Sequence, residues 1–512
     1  MFEESVILRQ AQDDNVIDEF FREEIGCCPE YICCFDFDTL YYCTYNNLMR
    51  IYNTLSRTVE EFLPISGGKN VTMYCCGPTV YDYTHLGHLW KYTMDDTIRR
   101  TLTFLEFEVQ HVMNITDVGH LVSDADEGED KLEKGARKTG KTVWEVAKFY
   151  TDFFNKSMRA IGVAEPDVTC KATEHISEMI ELVRTLESKG FAYNTSEAVY
   201  FDTSKFPNYG ALSGQKLEEK KRAVRAEVVE DAEKKNPYDF ALWFKRVGRF
   251  ADHTMHWPSP WGDGFPGWHI ECSAMSMKYL GPQIDIHTGG IDHISVHHAN
   301  EIAQSEASTG KSPFVKYWVH HNFVQIEGEK MSKSLNNFMT IDDVVKRGID
   351  PYALRLLFLQ THYRNELNFT WEALKASDIA LKRLREAYQE LGNEIDSHDL
   401  EGDIHMKQFT EAISDDINVA MGVGILWQVL KSDLPKSKKK ALIDRFNTVF
   451  GLDLTISAVD VIPSEIVILA EKRKSAKAQN EFGSADDLRK QILEMGYTIR
   501  DGKDGNYVIH KV

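Results

Sequence analysis

Tyr74-Cys75-Cys76-Gly77-Pro78-Thr79-Val80-Tyr81-Asp82-Tyr83-Thr84-His85-Leu86-Gly87-His88 holds a strand, a break and a helix start within fifteen residues. Val71, Met73 and Cys75 alternate with Thr72, Tyr74 and Cys76, so the two sets fall on opposite faces of a pleat. Gly77-Pro78 ends the strand, because proline has no N–H to give to a ladder. His85-Leu86-Gly87-His88 follows where a helix can begin, and Gly87 lets a flat ligand approach the backbone closely. Two imidazoles at the mouth of such a turn suit phosphate contacts at the carboxyl edge of a parallel sheet. By itself the H-x-G-H spacing reads equally well as two helix-surface histidines.

Working outward, residues 89–105 carry a helical pattern and Glu108-Val109-Gln110-His111-Val112-Met113-Asn114-Ile115-Thr116-Asp117 a second strand. This alternation opens a βαβ unit, so the expected fold class is α/β, with a Rossmann-type parallel-sheet domain over 48–345. Residues 118–265 interrupt it as a connective insertion, helical at 143–161 and 174–189, with a short β-like piece at 198–201. The second half returns at Gly267, with a buried strand at 284–287 ending at Gly289-Gly290 and a helix over 297–308. Lys330-Met331-Ser332-Lys333-Ser334 follows on a loop. Pro351 begins an all-helical remainder, with apolar residues at Leu374, Leu381, Leu384 and Tyr388. It divides into linker helices (346–400), a bundle (401–460) and a terminal region (461–512).

The 512 residues suffice for two or three domains, and 43% hydrophobic with 27% charged residues is an ordinary soluble composition. No apolar run is long enough to span a bilayer, and Met-Phe-Glu-Glu lacks the basic region of a signal peptide, so a cytoplasmic location is expected. The net charge of −20 does not advertise a nucleic-acid binder. RNA contact would fall to local basic patches, for which 436–440 and 472–474 are candidates, although charge runs also make plain solvated faces. Nine cysteines, an odd number, argue against a disulfide framework. Cys27-Cys28 and Cys33-Cys34 lack the C-x-x-C spacing of a metal clip.

His297 and Glu301 are four apart and share a helix face. With two thiolates from Cys76 and Cys272 they would make a borderline-soft donor set that suits zinc. The spacing alone is also that of buried cysteines and a helix-surface pair.

Together, the histidine and lysine motifs resemble the two signatures of class I aminoacyl-tRNA synthetases, with Leu86 in place of isoleucine. The segments 76–82, 267–275 and 297–305 narrow the resemblance to the cysteinyl-tRNA synthetases, from about Leu48 to the C-terminus. That resemblance implies a catalytic domain at 48–345, stem-contact helices at 346–400 and an anticodon-binding region at 461–512. It also implies ligation of L-cysteine to tRNA(Cys) through an adenylate, with ATP and Mg2+, one zinc ion per subunit, and a monomer. It makes Cys76, Cys272, His297 and Glu301 the zinc ligands and leaves Cys75, on the other face of its strand, out of the set. His85, His88, Lys330 and Lys333 take catalytic roles. Gly77, Thr79 and Gly87, with Lys333, border the nucleotide, and Trp268, Thr116 and Asp292 the amino acid. Phe265, where the family leads one to expect arginine, and the stretches 292–296 and 114–120 depart from the family pattern. The alternatives are a paralogous ligase that joins cysteine to an amino sugar and a non-catalytic tRNA-binding relative. The long helical C-terminal region disfavours the first, and the intact signatures disfavour the second.

Residues 1–47 match no part of this pattern and carry eleven acids against Arg9 and Arg22, a net −9 that repels RNA. A chain starting at Met49 is therefore expected to keep full aminoacylation activity. Collapse of activity or solubility on that truncation would contradict the expectation.

Overall fold

The alternating segment becomes β1 (Asn70–Cys75), the middle strand of a five-stranded sheet in a computed structural model of the chain. The structure describes residues 49–119, 121–123, 127–214, 231–331, 337–455, 464–479, 481–501 and 507–511. The acidic extension, its cysteines and Lys333 lie outside them. After β1 come α1 (Leu86–Phe104), β2 (Glu108–Ile115), α2 (Val143–Ala160) and β3 (Val168–Lys171). The second half supplies α3 (Trp268–Leu280), β4 (Ile284–Gly290), α4 (His297–Thr309) and β5 (Val315–His321).

The strand order is β5-β4-β1-β2-β3, and every pairing is parallel. Parallel strands need crossovers that cover both faces, which is why Met73, Tyr74 and Cys75 are all fully buried. The order reverses between β1 and β4, where connections leave in opposite directions and open a crevice at the carboxyl ends.

The expected insertion holds both predicted helices, at Val143–Ala160 and Ile176–Ser188, and the strand Ala198–Phe201. Two features differ from expectation. Residues Val168–Lys171, inside the span assigned to the insertion, form β3 and pair with Val112–Ile115 of β2. With one fully buried side chain, Cys170, this edge strand has too little pattern to show in the sequence. The short β piece is also not alone. It belongs to a four-stranded antiparallel sheet with Ala192–Asn194, Phe240–Lys245 and Gly264–Pro266, so this segment is mixed rather than mainly helical. Its aromatic core explains Phe265, which is fully buried, stacks on His253 with centroids 3.8 Å apart, and packs against Phe244 and Phe250.

The carboxyl-terminal region is helical, as expected, and begins with α5 (Pro351–Leu359). Asp350 caps α5 and proline fills its first turn, where a missing N–H costs nothing. The expectation of an all-helical remainder nevertheless needs two corrections. Leu367–Phe369 adds a parallel strand to Val324–Ile326, and the chain closes on the antiparallel pair Tyr497–Asp501 and Tyr507–Lys511. In Tyr497–Asp501 the alternation of buried Tyr497 and Ile499 with Thr498 and Arg500 is a period-two signal that a helical reading passes over.

The basic runs do structural work. In α6 (Lys436–Phe450), Lys436, Lys438 and Lys439 donate to the carbonyls of Glu390, His398 and Leu430, and Lys440 lies 3.7 Å over the Tyr388 ring. Arg473 is buried in a bidentate pair with Asp501, at 2.7 and 3.0 Å.

Arg355 of α5 ties the helical region to the sheet domain. Fully buried, it bonds Asp96 of α1 at 2.5 Å, the Phe450 carbonyl at the end of α6 at 2.6 Å, and the Ile161 carbonyl just past α2 at 3.2 Å. A guanidinium at two helix C-termini satisfies carbonyls left over by the helices and opposes their dipoles. Replacing it by methionine strands those carbonyls, while Arg100 still neutralises Asp96 from 2.8 Å. Arg355→Met is expected to cost about 3 kcal/mol in denaturant unfolding. A loss under about 1 kcal/mol, the range of an exposed pair, would contradict this assignment.

Candidate active site

Cys76 is the first residue beyond β1, and Gly77 follows because nothing larger fits. A Cβ there would lie 1.5 Å from the Asn114 carbonyl oxygen. The turn sends Cys76 and Cys75 to opposite sides. The Cys75 sulfur meets His111 Nε2 at 3.1 Å, away from the crevice, while Cys76 faces Cys272 of α3 with sulfurs 3.8 Å apart. In α4, His297 Nε2 and Glu301 Oε1 are 3.0 Å apart, and Cys76 Sγ is 3.9 Å from the same oxygen. The four donor atoms lie within 4.8 Å of one another, and all four residues are buried.

The electrostatics of this cluster suit a cation. Its hydrogen bond with Cys76 draws the Cys272 thiol down to about 6 against the opposing effect of burial, whereas burial pushes Cys76 well up. Burial also opposes charge on Glu301, but His287 and His297 more than reverse that and hold its carboxyl far below the usual range. A tetrahedral zinc ion with Zn–S near 2.3 Å would separate its two sulfurs by roughly 3.8 Å, so the residues fit such an ion.

Sequence reasoning gave no role to the imidazoles around this cluster. His287 Nε2 bonds Glu301 Oε2 at 3.0 Å, and His298 Nε2 lies 3.4 Å from Cys76 Sγ. His298 Nδ1 in turn meets His320 Nε2 at 2.8 Å, and His320 Nδ1 meets Thr54 at 2.7 Å. On the other flank, His269 Nδ1 and His297 Nδ1 are 3.0 Å apart. Cys76, His287, His298 and Glu301 form a second donor group sharing two members with the first. A soft cation would be better served by the first group, because it offers two sulfur donors and His287 already holds the outer oxygen of Glu301. The available signal was position, and only for His320, which lies next to the carboxyl end of β5; His287 stands midway along β4.

At the start of α1, His85 caps the helix, its Nδ1 accepting from Gly87 N at 3.1 Å. His88 Nδ1 accepts from His85 N at 3.4 Å, and the two rings stack at 3.8 Å. Burial draws His85 down to about 4; burial and then His85 draw His88 well below its ordinary value. Both rings are therefore neutral at pH 7, and with each Nδ1 accepting, each keeps its proton on Nε2. The site meets a ligand with two N–H donors rather than two cations.

Leu86 N donates to the Met339 carbonyl at 3.0 Å, and Lys330 ends the short strand Glu329–Lys330, exposed. The flanks of the lysine motif thus meet the start of α1. Thr79 bridges to Thr116, while Asn114 donates to the Thr116 hydroxyl at 3.1 Å and that hydroxyl donates to Glu271 at 2.8 Å. Burial, and then the charge of Cys272, push the Glu271 carboxyl well above its usual range. Trp268, the first residue of α3, packs its ring 4.2 Å from that of His297. Asp292 is exposed in the short turn Ile291–Ser295 that follows β4.

These pKa directions make a checkable statement. His85 is expected to stay neutral down to pH 5 and to gain its proton near pH 4 in a histidine-selective NMR titration. Protonation near the ordinary pH 6.5 would contradict the buried, Nε2-protonated assignment.

Residues 62–378 match the family described as tRNA synthetases class I (C) catalytic domain. The chain is 41% identical over 485 residues to a cysteine–tRNA ligase of Treponema denticola, covering 88% of this chain and 98% of that one. It is 43% identical over 463 residues to cysteine–tRNA ligase 1 of Burkholderia lata, covering 89% and 96%. Among solved structures, Agrobacterium radiobacter LeuRS in a ternary complex with tRNA and LeuAMS superposes with a TM-score of 0.54 at 12% identity, over 76% of this chain and 85% of that one, a likeness of fold. Family match, long relatives and the site at the switch point agree: the chain belongs to the cysteine–tRNA ligases, within the class I aminoacyl-tRNA synthetases.

Proposed function

We propose that the protein activates L-cysteine with ATP and transfers it to tRNA(Cys). The observation that carries this reading is the buried cluster of Cys76, Cys272, His297 and Glu301 beside the paired histidines of α1. Cys76, Cys272, His297 and Glu301 would hold zinc, which prefers a thiolate to a neutral hydroxyl and so supplies a chemical distinction between cysteine and serine. A pocket relying on shape alone separates such near-isosteres weakly.

In the first step a carboxylate oxygen of cysteine bonds to the α-phosphorus of ATP, and the bond from that phosphorus to the bridging oxygen of pyrophosphate breaks. No protein nucleophile is required, so catalysis rests on orientation and on stabilising spread negative charge. The Nε2–H groups of His85 and His88 donate to phosphate oxygens. Gly77, Thr79 and Gly87 border the nucleotide, which enters with Mg2+. Lys330 and Lys333 supply positive charge as pyrophosphate leaves, and Trp268, Thr116 and Asp292 line the amino acid. In the second step a ribose hydroxyl at the tRNA terminus attacks the acyl carbon and AMP departs.

The reading extends to a cytoplasmic location, supported by the ordinary soluble composition, and to a monomer, which rests on the family resemblance alone. No helix among the described residues is long and apolar enough to cross a membrane. The test of the reading is ATP–pyrophosphate exchange that depends on cysteine and not on serine, followed by charging of tRNA(Cys). Exchange with serine at a comparable rate would overturn it.

Lys333→Ala is expected to lower kcat for exchange by roughly a hundredfold or more while leaving the KM for cysteine little changed, because the charge acts on the transition state. A change confined to KM would remove Lys333 from the catalytic set.

A further inference from the structure

Glu271 is completely buried and has no part in the chemistry above. Only its Oε2 is held, by the Thr116 hydroxyl; Oε1 has no hydrogen-bond partner among the described residues. Burying a carboxyl group for one hydrogen bond is costly, so its place calls for a reason other than packing.

The neighbouring bonds supply that reason. Gly77 N–H donates to Asn114 Oδ1 at 2.7 Å, which fixes the amide's orientation and makes its Nδ2 the donor to Thr116 Oγ1. Thr116 therefore cannot give its proton to Asn114 and donates to Glu271 Oε2 instead, which accepts both in the carboxylate and in the acid that carries its proton on Oε1. A hydroxyl has one proton and two lone pairs. The proton and one lone pair are committed, and a single lone pair is left. This group lies at the amino-acid end of the crevice, since Asn114 Oδ1 is 3.8 Å from Cys272 Sγ and Glu271 adjoins Cys272 in α3.

We propose that Glu271 is a positioning residue for substrate selection: by taking the Thr116 proton, it turns that hydroxyl into an acceptor that reads the α-ammonium of the amino acid. Of the polar groups on cysteine, the carboxylate and the thiolate offer only lone pairs, and the ammonium alone can donate. Without Glu271 the hydroxyl keeps only the hydrogen bond from Asn114, and its uncommitted proton can turn toward the ammonium as readily as its lone pair. The inference rests on the proposed cysteine activation and deepens it.

The test uses the full-length, zinc-loaded protein and two ligands: cysteine, and 3-mercaptopropionate, which keeps the thiol and carboxylate but lacks the ammonium. Glu271→Leu is expected to raise the KM for cysteine in pyrophosphate exchange roughly 10-fold. Its kcat should stay within about threefold, and its inhibition constant for 3-mercaptopropionate and its zinc content should not move. Glu271→Gln, whose amide oxygen still accepts from Thr116, is expected to stay close to wild type. Thr116→Val should reproduce the leucine variant, and adding it to Glu271→Leu should cause no further loss. If Glu271→Leu does not fold, Thr116→Val against wild type carries the same comparison between the two ligands. Equal weakening of cysteine and 3-mercaptopropionate, or a glutamine variant as impaired as the leucine one, would overturn the proposal. Wild type lacking cysteine-dependent exchange would instead overturn the functional reading beneath it.

Discussion

Strand order in a parallel sheet constrains everything else in this protein. Where the order reverses between β1 and β4, neighbouring crossovers diverge, and the carboxyl ends of the strands face a crevice. The backbone after β1 supplies Cys76 and Gly77, that after β2 supplies Thr116, and the end of β5 supplies His320 and His321. Cys76 and Cys272, 196 residues apart in sequence, meet there: Cys76 follows β1, and Cys272 sits on α3, which leads into β4, the strand paired with β1 with Thr288 opposite Cys75. Shifting that register by one residue would exchange Cys75 for Cys76 at the crevice and dismantle the donor set.

Burying so many polar groups is unfavourable unless each finds a partner. The rings of His287, His298 and His320 form a linked layer behind the donors, tied to Glu301, to Cys76 and finally to Thr54. Their rotamers are fixed by one another, so the donors they touch are fixed too. Gly289 belongs to the same arrangement, since a Cβ there would stand 2.4 Å from the His298 ring. The aromatic core around Phe265 and the buried Arg355 play the matching part at a distance, locking the antiparallel sheet and the helical region in place.

Much of this was legible in the sequence because it is written in local signals. Alternation in 71–76 separated Cys75 from Cys76, and the i, i+4 spacing put His297 and Glu301 on one face. The imidazole layer was not legible, because His269, His287, His298 and His320 come from separate elements whose convergence is a matter of register. β3 was hidden for a different reason: four residues at a sheet edge bury too little to leave a pattern. The lysine run at 436–440 reads in the sequence as a solvated face or an RNA-facing patch, and composition does not show that three of its lysines also reach backbone carbonyls. The closing antiparallel pair was masked by the helices before it.

The most direct measurement of the central claim is the cobalt(II) absorption spectrum of the metal-substituted protein. Two thiolate ligands give strong sulfur-to-cobalt charge-transfer bands at one ion per chain, and a tetrahedral site gives intense visible d–d bands. The account predicts that Cys76→Ser and Cys272→Ser each remove about half of the charge-transfer intensity or lose the ion, and that Cys75→Ser leaves the spectrum unchanged. A spectrum that loses its charge-transfer bands in Cys75→Ser, or keeps them intact in Cys272→Ser, would contradict it.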